Sequence, residues 1–269
     1  MEILSNVTVL SNKLQPIVAN TTNLITNGYY AYRPQYESKK NRSKIFEALK
    51  KSNKYPVLAE LKFSTPTNGL LKDSSIKNTK DVLKIYSDST VCGLSILTEP
   101  DFFHGSLEYL DLATSVIDKD IPILMKDFII SYDQITCAKN LGASTVLLIS
   151  KILTEKTLEK LIDYTHNLNL EVLLEVNSKE ELNYAVKTNV NVIGINNRNL
   201  NTMNLTLDTT EDLLKDFTKK SQKILSLSGI TTTDDVHKVK KAGADGILVG
   251  SALMKSANPK GLINQFSEV

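Results

Sequence analysis

From about residue 55 onward, short runs rich in Val, Ile and Leu alternate with amphipathic stretches, and no other feature of the chain restricts its fold as much. The runs cover 56–62, 91–97, 121–126, 145–149, 170–176, 190–196, 223–227 and 246–250. Each is too short for a buried helix, and its near-continuous apolar character suits a parallel strand covered on both faces. Between them, 80–86 and 107–113 repeat apolar positions three and four apart, as helices packed on a sheet do. Ser178 with Glu181 reads as a capping box ahead of Leu182, Ala185 and Val186, and Thr232 with Asp235 as another ahead of Val236, Val239 and Ala242. Gly142 and Gly243 suit helix C-termini, where a left-handed residue closes the last turn.

Eight such units without a linker predict an α/β chain forming a single (β/α)8 barrel over 55–269, and a length of 269 residues is ordinary for that fold. An open doubly wound sheet is the competitor, disfavoured by the regular eight units and by the lack of Gly-x-Gly-x-x-Gly after the first run. Residues 1–54 fall outside the repeat. They are polar and Asn-rich, with a helical stretch at 43–50. They read as an N-terminal helical extension packed on the barrel, with a mobile tail before Ser43 as the alternative.

Strand side chains alternate, so residues two apart share a face. Leu58, Glu60 and Lys62 share one in the first run, and Leu173 and Glu175 share one in the fifth. Lys126 ends the third run, and Asn196 and Arg198 close the sixth. A barrel interior is normally filled with branched apolar residues, and charge there is costly unless it pairs or meets a ligand. Structural ion pairs would explain one such residue. Glu60, Lys62, Lys126, Glu175 and Arg198 at successive strand ends point instead to a cleft suited to proton transfer. After the seventh and eighth runs come Ser228-Gly229 and Gly250-Ser251. Small residues in those two loops are the usual phosphate site of a barrel, since the backbone N–H groups can approach an anion.

Charge and composition narrow the partners. Lys plus Arg number 32 and Asp plus Glu 30, a net charge of +2, which argues against nucleic acid or a membrane surface recognised by bulk charge. No apolar run reaches the roughly 18 residues of a membrane span, and the first residues lack the pattern of a secretory signal. A cytoplasmic protein is expected. Cys92 and Cys137 read as reduced core thiols, and His104, His166 and His237 lack metal-ligand spacing, so no metal site is expected.

With these residues in place the sequence resembles the indole-3-glycerol phosphate synthase family. The matching segments are 59–69, 94–106, 124–130, 173–176, 193–200, 226–229 and 243–254, in the family's order along nearly the whole barrel. The resemblance implies a carboxy-lyase of tryptophan biosynthesis. It closes 1-(2-carboxyphenylamino)-1-deoxyribulose 5-phosphate to an indole with loss of carbon dioxide and water, and uses no cofactor. It implies Lys126 as general acid, Glu175 as base, and Lys62 as the lysine that binds carboxylate and phosphate and as a candidate second acid. Glu60 would hold Lys62 and substrate hydroxyls. Asn196 and Arg198 would lie near the anthranilate moiety, with Phe128, Phe103 and Leu148 as pocket walls. The phosphate would rest on Ser228, Gly229, Gly250 and Ser251, assisted by Thr65 where the family usually has Ser. Thr67 is a similar mild change. The expected partner is a small phosphorylated substrate, and the expected state a monomer.

One departure stands out. The family usually reads Ser-Glu-Ser-Gly at the end of strand seven, and here Leu227 takes the carboxylate's place. Two other readings stay open on the residues: a catalytically weakened barrel that binds a phosphorylated ligand, and another phosphate-binding barrel enzyme such as phosphoribosylanthranilate isomerase. The isomerase would be expected to carry a Cys at the end of strand one, where this chain has Glu60 and Lys62.

Overall fold

Parallel strands with both faces covered have two ways to end: open edges or closure, and here the sheet closes. A computed structural model describes residues 7–8, 10–36, 42–66, 69–218 and 220–269. Its strands are β1 (Val57–Leu61), β2 (Gly93–Leu97), β3 (Ile123–Lys126), β4 (Thr145–Ile149), β5 (Glu171–Val176), β6 (Val192–Asn196), β7 (Lys223–Leu227) and β8 (Gly246–Val249). Each pairs in parallel with its sequence neighbours, and β1 pairs with both β2 and β8 to complete the barrel. Helices follow every strand, so the expected (β/α)8 architecture is the one observed. A short hairpin, Ser64–Thr65 against Gly69–Leu70, rises from the end of β1.

The helices start where the sequence supplies a side-chain acceptor. Ser75, Ser106, Ser131, Thr154 and Thr232 each accept a backbone N–H from the first turn they precede. Thr232 and Asp235 form the reciprocal box. At Ser178 only half of it forms. The hydroxyl accepts from the Glu181 N–H at 3.2 Å, but the Glu181 carboxylate accepts from Asn177 N–H at 2.8 Å, one residue earlier than a box requires. Gly142 and Gly243 take the left-handed conformation, at φ 80° and 110°.

The ladder registers fix which residues face the barrel axis. Leu58 pairs with Leu248, Leu124 with Thr145, Thr145 with Glu171, Leu147 with Leu173, and Gly194 with both Glu175 and Leu225. Paired residues of a parallel ladder point the same way, so these form one inward set. It is apolar at mid-height and charged at the C-terminal mouth.

The described parts of the N-terminal segment lie on the outside of this barrel, with contacts at both of its ends. Helix Gln15–Thr26 buries Ile17, Val18 and Ile25. Asn20 donates to Glu99 at 3.2 Å, beyond the end of β2. Tyr29 donates to the Thr98 carbonyl and Tyr30 to the Asp127 carboxylate, both at the C-terminal end of the barrel. The Gln35 N–H donates to Asp111 at 2.6 Å. Lower down, the Arg42 guanidinium donates to the carbonyls of Thr114 (2.7 Å) and Ile117 (2.8 Å), where the C-terminal dipole of helix Leu107–Val116 favours a cation. The segment ends with helix Ile45–Lys51 across the N-terminal opening, where the Phe46 N–H donates to Glu171 at 3.2 Å. No helix among the described residues is long and apolar enough to cross a membrane.

Glu171 faces the barrel axis and is only 3% exposed. Burial pushes its carboxyl up to about 7, against the pull of the Phe46 and Ile45 N–H groups, Lys44 and Thr145. A raised acid stabilises the fold while protonated and loses that contribution as pH rises toward its folded value. Relative to Glu171→Gln, the native chain should therefore lose about 2–3 kcal/mol of stability between pH 4.5 and 7 and hold a constant difference above. Urea unfolding of the pair at pH 5 and pH 8 measures this; a parallel pH dependence in both would contradict it.

Candidate active site

At the mouth, β1 contributes a carboxylate and an ammonium from consecutive inward positions. Glu60 is 2% exposed, and its Oε2 lies 2.5 Å from Lys62 Nζ. Its Oε1 lies 3.9 Å from Lys126 Nζ, delivered by the last residue of β3. Burial pushes the Glu60 carboxyl up, but the two ammonium groups outweigh it and hold it below the ordinary carboxylate range. One carboxylate thus bridges two lysines that remain partly open, a geometry in which either lysine can exchange its partner for a substrate oxygen.

Backbone space makes this cluster possible. A Cβ on Gly250 would stand 2.2 Å from Glu60 Oε2 and 3.0 Å from Lys62 Nζ, so the end of β8 must be glycine for the ion pair to lie against it. Gly194 makes room in a similar way on β6: its Cβ would meet Leu227 Cδ1 at 2.6 Å and Leu173 Cδ1 at 3.3 Å. Leu227 is 1% exposed, and it fills the volume that Gly194 leaves empty. The departure from the family pattern is thus a packed apolar wall rather than a hole.

A second group forms on β5 and β6. Asn196 Nδ2 donates to Glu175 Oε1 at 2.8 Å, and its Oδ1 accepts from the Arg198 N–H at 2.9 Å. The backbone donor identifies the oxygen of the amide, so the nitrogen must face Glu175. Glu175 is 3% exposed, and its Oε2 has no hydrogen-bond partner among the described residues. Buried polar oxygens are normally hydrogen-bonded, so a free one marks a place where another group can be received. The Arg198 guanidinium donates to the Met203 carbonyl at 3.1 Å, within its own loop. Phe103 and Phe128 approach with ring centroids 5.9 Å apart.

In the loop after β7, Ser228 and Gly229 adopt successive left-handed conformations, at φ 66° and 87°. Consecutive N–H groups in such a turn can form an anion-binding concavity. The turn is held from behind by Asn197, which is fully buried and donates to the Ser226 hydroxyl (2.9 Å) and the Ser228 carbonyl (3.0 Å). The Asn197 Oδ1 accepts in turn from the Thr210 hydroxyl at 2.8 Å. Gly250 caps helix Ser251–Lys255 next door. Thr65 is buried in the hairpin beyond β1. Thr67 and Asn68, in the same matching segment, lie outside the described residues.

One expected site residue is displaced. Leu148 pairs with Leu174, whereas Leu147 pairs with Leu173 and Ile149 with Glu175. Leu147 therefore shares the face of Glu175, and Leu148 points outward to the helices. The inward positions of β4 are Leu147 and Ile149; period-two alternation is legible in the sequence, but its phase needs the ladder register.

Other polar residues at the site carry no sequence signal of that placement. Asp127, 1% exposed, accepts from Thr98 (2.5 Å), Tyr30 (3.1 Å) and the Phe128 N–H (2.8 Å), so it bolts the segment between Lys126 and Phe128 to β2 and to the N-terminal extension. Burial pushes its carboxyl up to about 6, with the Thr98 and Phe128 bonds opposing. Asn177, Glu181 and Asn197 also lie behind the mouth. Glu181 carries only a helix-cap signal and Asn197 only its place in a matching segment; their contacts show where they sit. Among the described residues no group of three or more His, Cys, Asp or Glu could hold a metal ion.

The geometry agrees with similarity to known proteins. A family model described as indole-3-glycerol phosphate synthase matches residues 11–266. The chain is 38% identical over 237 residues to the indole-3-glycerol phosphate synthase of Lachnospira eligens, covering 87% of this chain and 86% of that protein. It is 38% identical over 231 residues to the protein of that description from Bacillus cereus strain AH820, covering 86% and 88%. Among solved structures, it is similar to thiamine phosphate pyrophosphorylase from Pyrococcus furiosus, with a TM-score of 0.55 and 15% identity over 80% of this chain and 94% of that one. That last similarity concerns the barrel alone.

The tight fit at the end of β8 gives a direct expectation. Gly250→Ala should force Glu60 and Lys62 apart and cost about 1–3 kcal/mol, as overpacking of a rigid site does. Calorimetry reads this as a thermal midpoint several degrees lower; an unchanged midpoint would show that the cluster yields freely.

Proposed function

The chain belongs to the indole-3-glycerol phosphate synthase family, and on that footing we propose that it converts 1-(2-carboxyphenylamino)-1-deoxyribulose 5-phosphate to indole-3-glycerol phosphate, carbon dioxide and water. The observation that carries this reading is the buried Lys62–Glu60–Lys126 cluster at the barrel mouth. Ring closure onto a ketone needs a proton donor at the carbonyl oxygen, and an ammonium beside a second cation and a buried carboxylate is suited to that work.

In the first step the aromatic carbon bearing the carboxylate attacks the ketone carbon while Lys126 gives its proton to the ketone oxygen. A carbon–carbon bond forms, and the carbonyl becomes a hydroxyl. The bond to the carboxylate then breaks, carbon dioxide leaves, and its electron pair restores the aromatic ring. In the last step the hydroxyl departs as water with a proton from an acid, and Glu175 accepts the ring proton whose loss completes the indole. The free Glu175 Oε2 supports that role, with Asn196 holding the other oxygen. Lys62 fits the second acid and the substrate's anionic groups. The left-handed turn at Ser228 and Gly229, with Gly250 and Ser251, suits the phosphate. Phe103, Phe128 and Leu147 suit the faces of the anthranilate ring. Arg198 would leave its Met203 carbonyl to reach the carboxylate. No step calls for a metal or organic cofactor.

Purified protein given the deoxyribulose phosphate should develop indole fluorescence at a rate unaffected by chelator. Lys126→Met and Glu175→Gln should each lower kcat by about 10²–10⁴-fold, the range of a lost general acid or base, with thermal midpoints within a few degrees of the native chain. Turnover that survives both substitutions would refute these assignments, and no turnover by folded native protein would refute the activity.

A further inference from the structure

We propose that Asn177 is a positioning residue for the general base, holding the Glu175 carboxylate in its working orientation through Asn196; this rests on the reading of Glu175 as the base. The β5–β6 ladder ends at the pair Val176 and Ile195. Asn177 carries it one step further with its side chain: Nδ2 donates to the Asn196 carbonyl at 2.5 Å and reaches the Arg198 carbonyl at 3.5 Å. Asn196 is thereby held at three points: its carbonyl by Asn177, its Oδ1 by the Arg198 N–H, and its Nδ2 by Glu175 Oε1. With the carbonyl and the side-chain oxygen both fixed, the amide nitrogen has one direction left, toward the carboxylate.

Asn177 is itself anchored. Its N–H donates to Glu181 Oε2 at 2.8 Å, and Glu181 Oε1 lies 3.8 Å from Lys151 Nζ. Lys151 belongs to the turn after β4, and its carbonyl accepts from the Thr8 hydroxyl at 2.7 Å. This chain of contacts explains why the Glu181 carboxylate skips Ser178. Its oxygen serves the residue that steadies the base instead of completing the helix cap. Removing the Asn177 amide leaves two carbonyls at the end of β6 without that donor and frees the 196–198 turn to rotate. Glu175 would then lose a hydrogen bond that favours its charged form.

The test is Asn177→Leu, which keeps the branching at Cγ but has no donor. We expect kcat to fall about ten- to thirtyfold, KM to change less than twofold, and the acidic limb of the kcat–pH profile to move upward. A purely structural role would lower the thermal midpoint but leave kcat per folded molecule and the pH limb where they are, and that result overturns the proposal. Asn177→Ser, which keeps a shorter donor, should fall between the two; it carries the same test if Asn177→Leu does not fold. If the native chain shows no synthase turnover, the reading of Glu175 as base fails on its own. The coupling is then read from the carbon-13 titration of the Glu175 carboxyl: an upward-shifted midpoint in the variant sustains it, and a common midpoint overturns it.

Discussion

Closure of the sheet is the constraint from which the rest follows. A closed parallel barrel has no edge, so half of every strand's side chains face an axis that water reaches only at the ends. Mid-height positions are apolar, and any charge must sit at an end and find a partner there. Glu60 meets that requirement with Lys62 and Lys126. Glu175 meets it with Asn196 on one oxygen, and the other has no partner among the described residues. Glycine at 194 and 250 supplies the room, so the reactive arrangement depends as much on two missing side chains as on the charged ones.

Much of this is legible in the amino-acid order because it is local. A strand in a barrel announces itself by an apolar run, and Glu60, Lys62 and Glu175 by sharing parity with Leu58 and Leu173. The failures share a cause as well. Leu148, expected on the pocket wall, faces the helices while Leu147 faces the axis, since the phase depends on pairing with β5, 26 residues away in sequence by the Leu147–Leu173 pair. The Ser178 cap looks complete from its spacing, yet the Glu181 carboxylate has a competing donor in Asn177. Asp127 and Asn197 lie inside matching segments, but their roles are not legible there, because what defines them is a partner from a distant segment.

The N-terminal segment shows the same rule on a larger scale. Its sequence is polar, yet it reads as a layer packed on the barrel, and it attaches both through buried apolar residues such as Leu14, Ile25 and Ile45 and through hydrogen bonds. Four barrel carboxylates, each at most 3% exposed, accept hydrogen bonds from it: Glu99 from Asn20, Asp127 from Tyr30, Asp111 from Gln35 and Glu171 from Phe46. A hydrogen bond to a buried charged group contributes about 1.5–3 kcal/mol, and leaving such a group bare costs more. The attachment is spread over the height of the barrel rather than concentrated in one apolar patch.

It follows that the border between extension and barrel, so clear in the strand repeat, is not a border in the physics. Cutting the chain just before β1 would not yield a smaller version of the same barrel. It would remove at least one hydrogen-bond donor from each of four buried carboxyl groups, one of them beside the segment that carries Lys126. The smallest autonomous unit of this chain begins upstream of its first strand, and anyone grafting or permuting the barrel must carry that strap along.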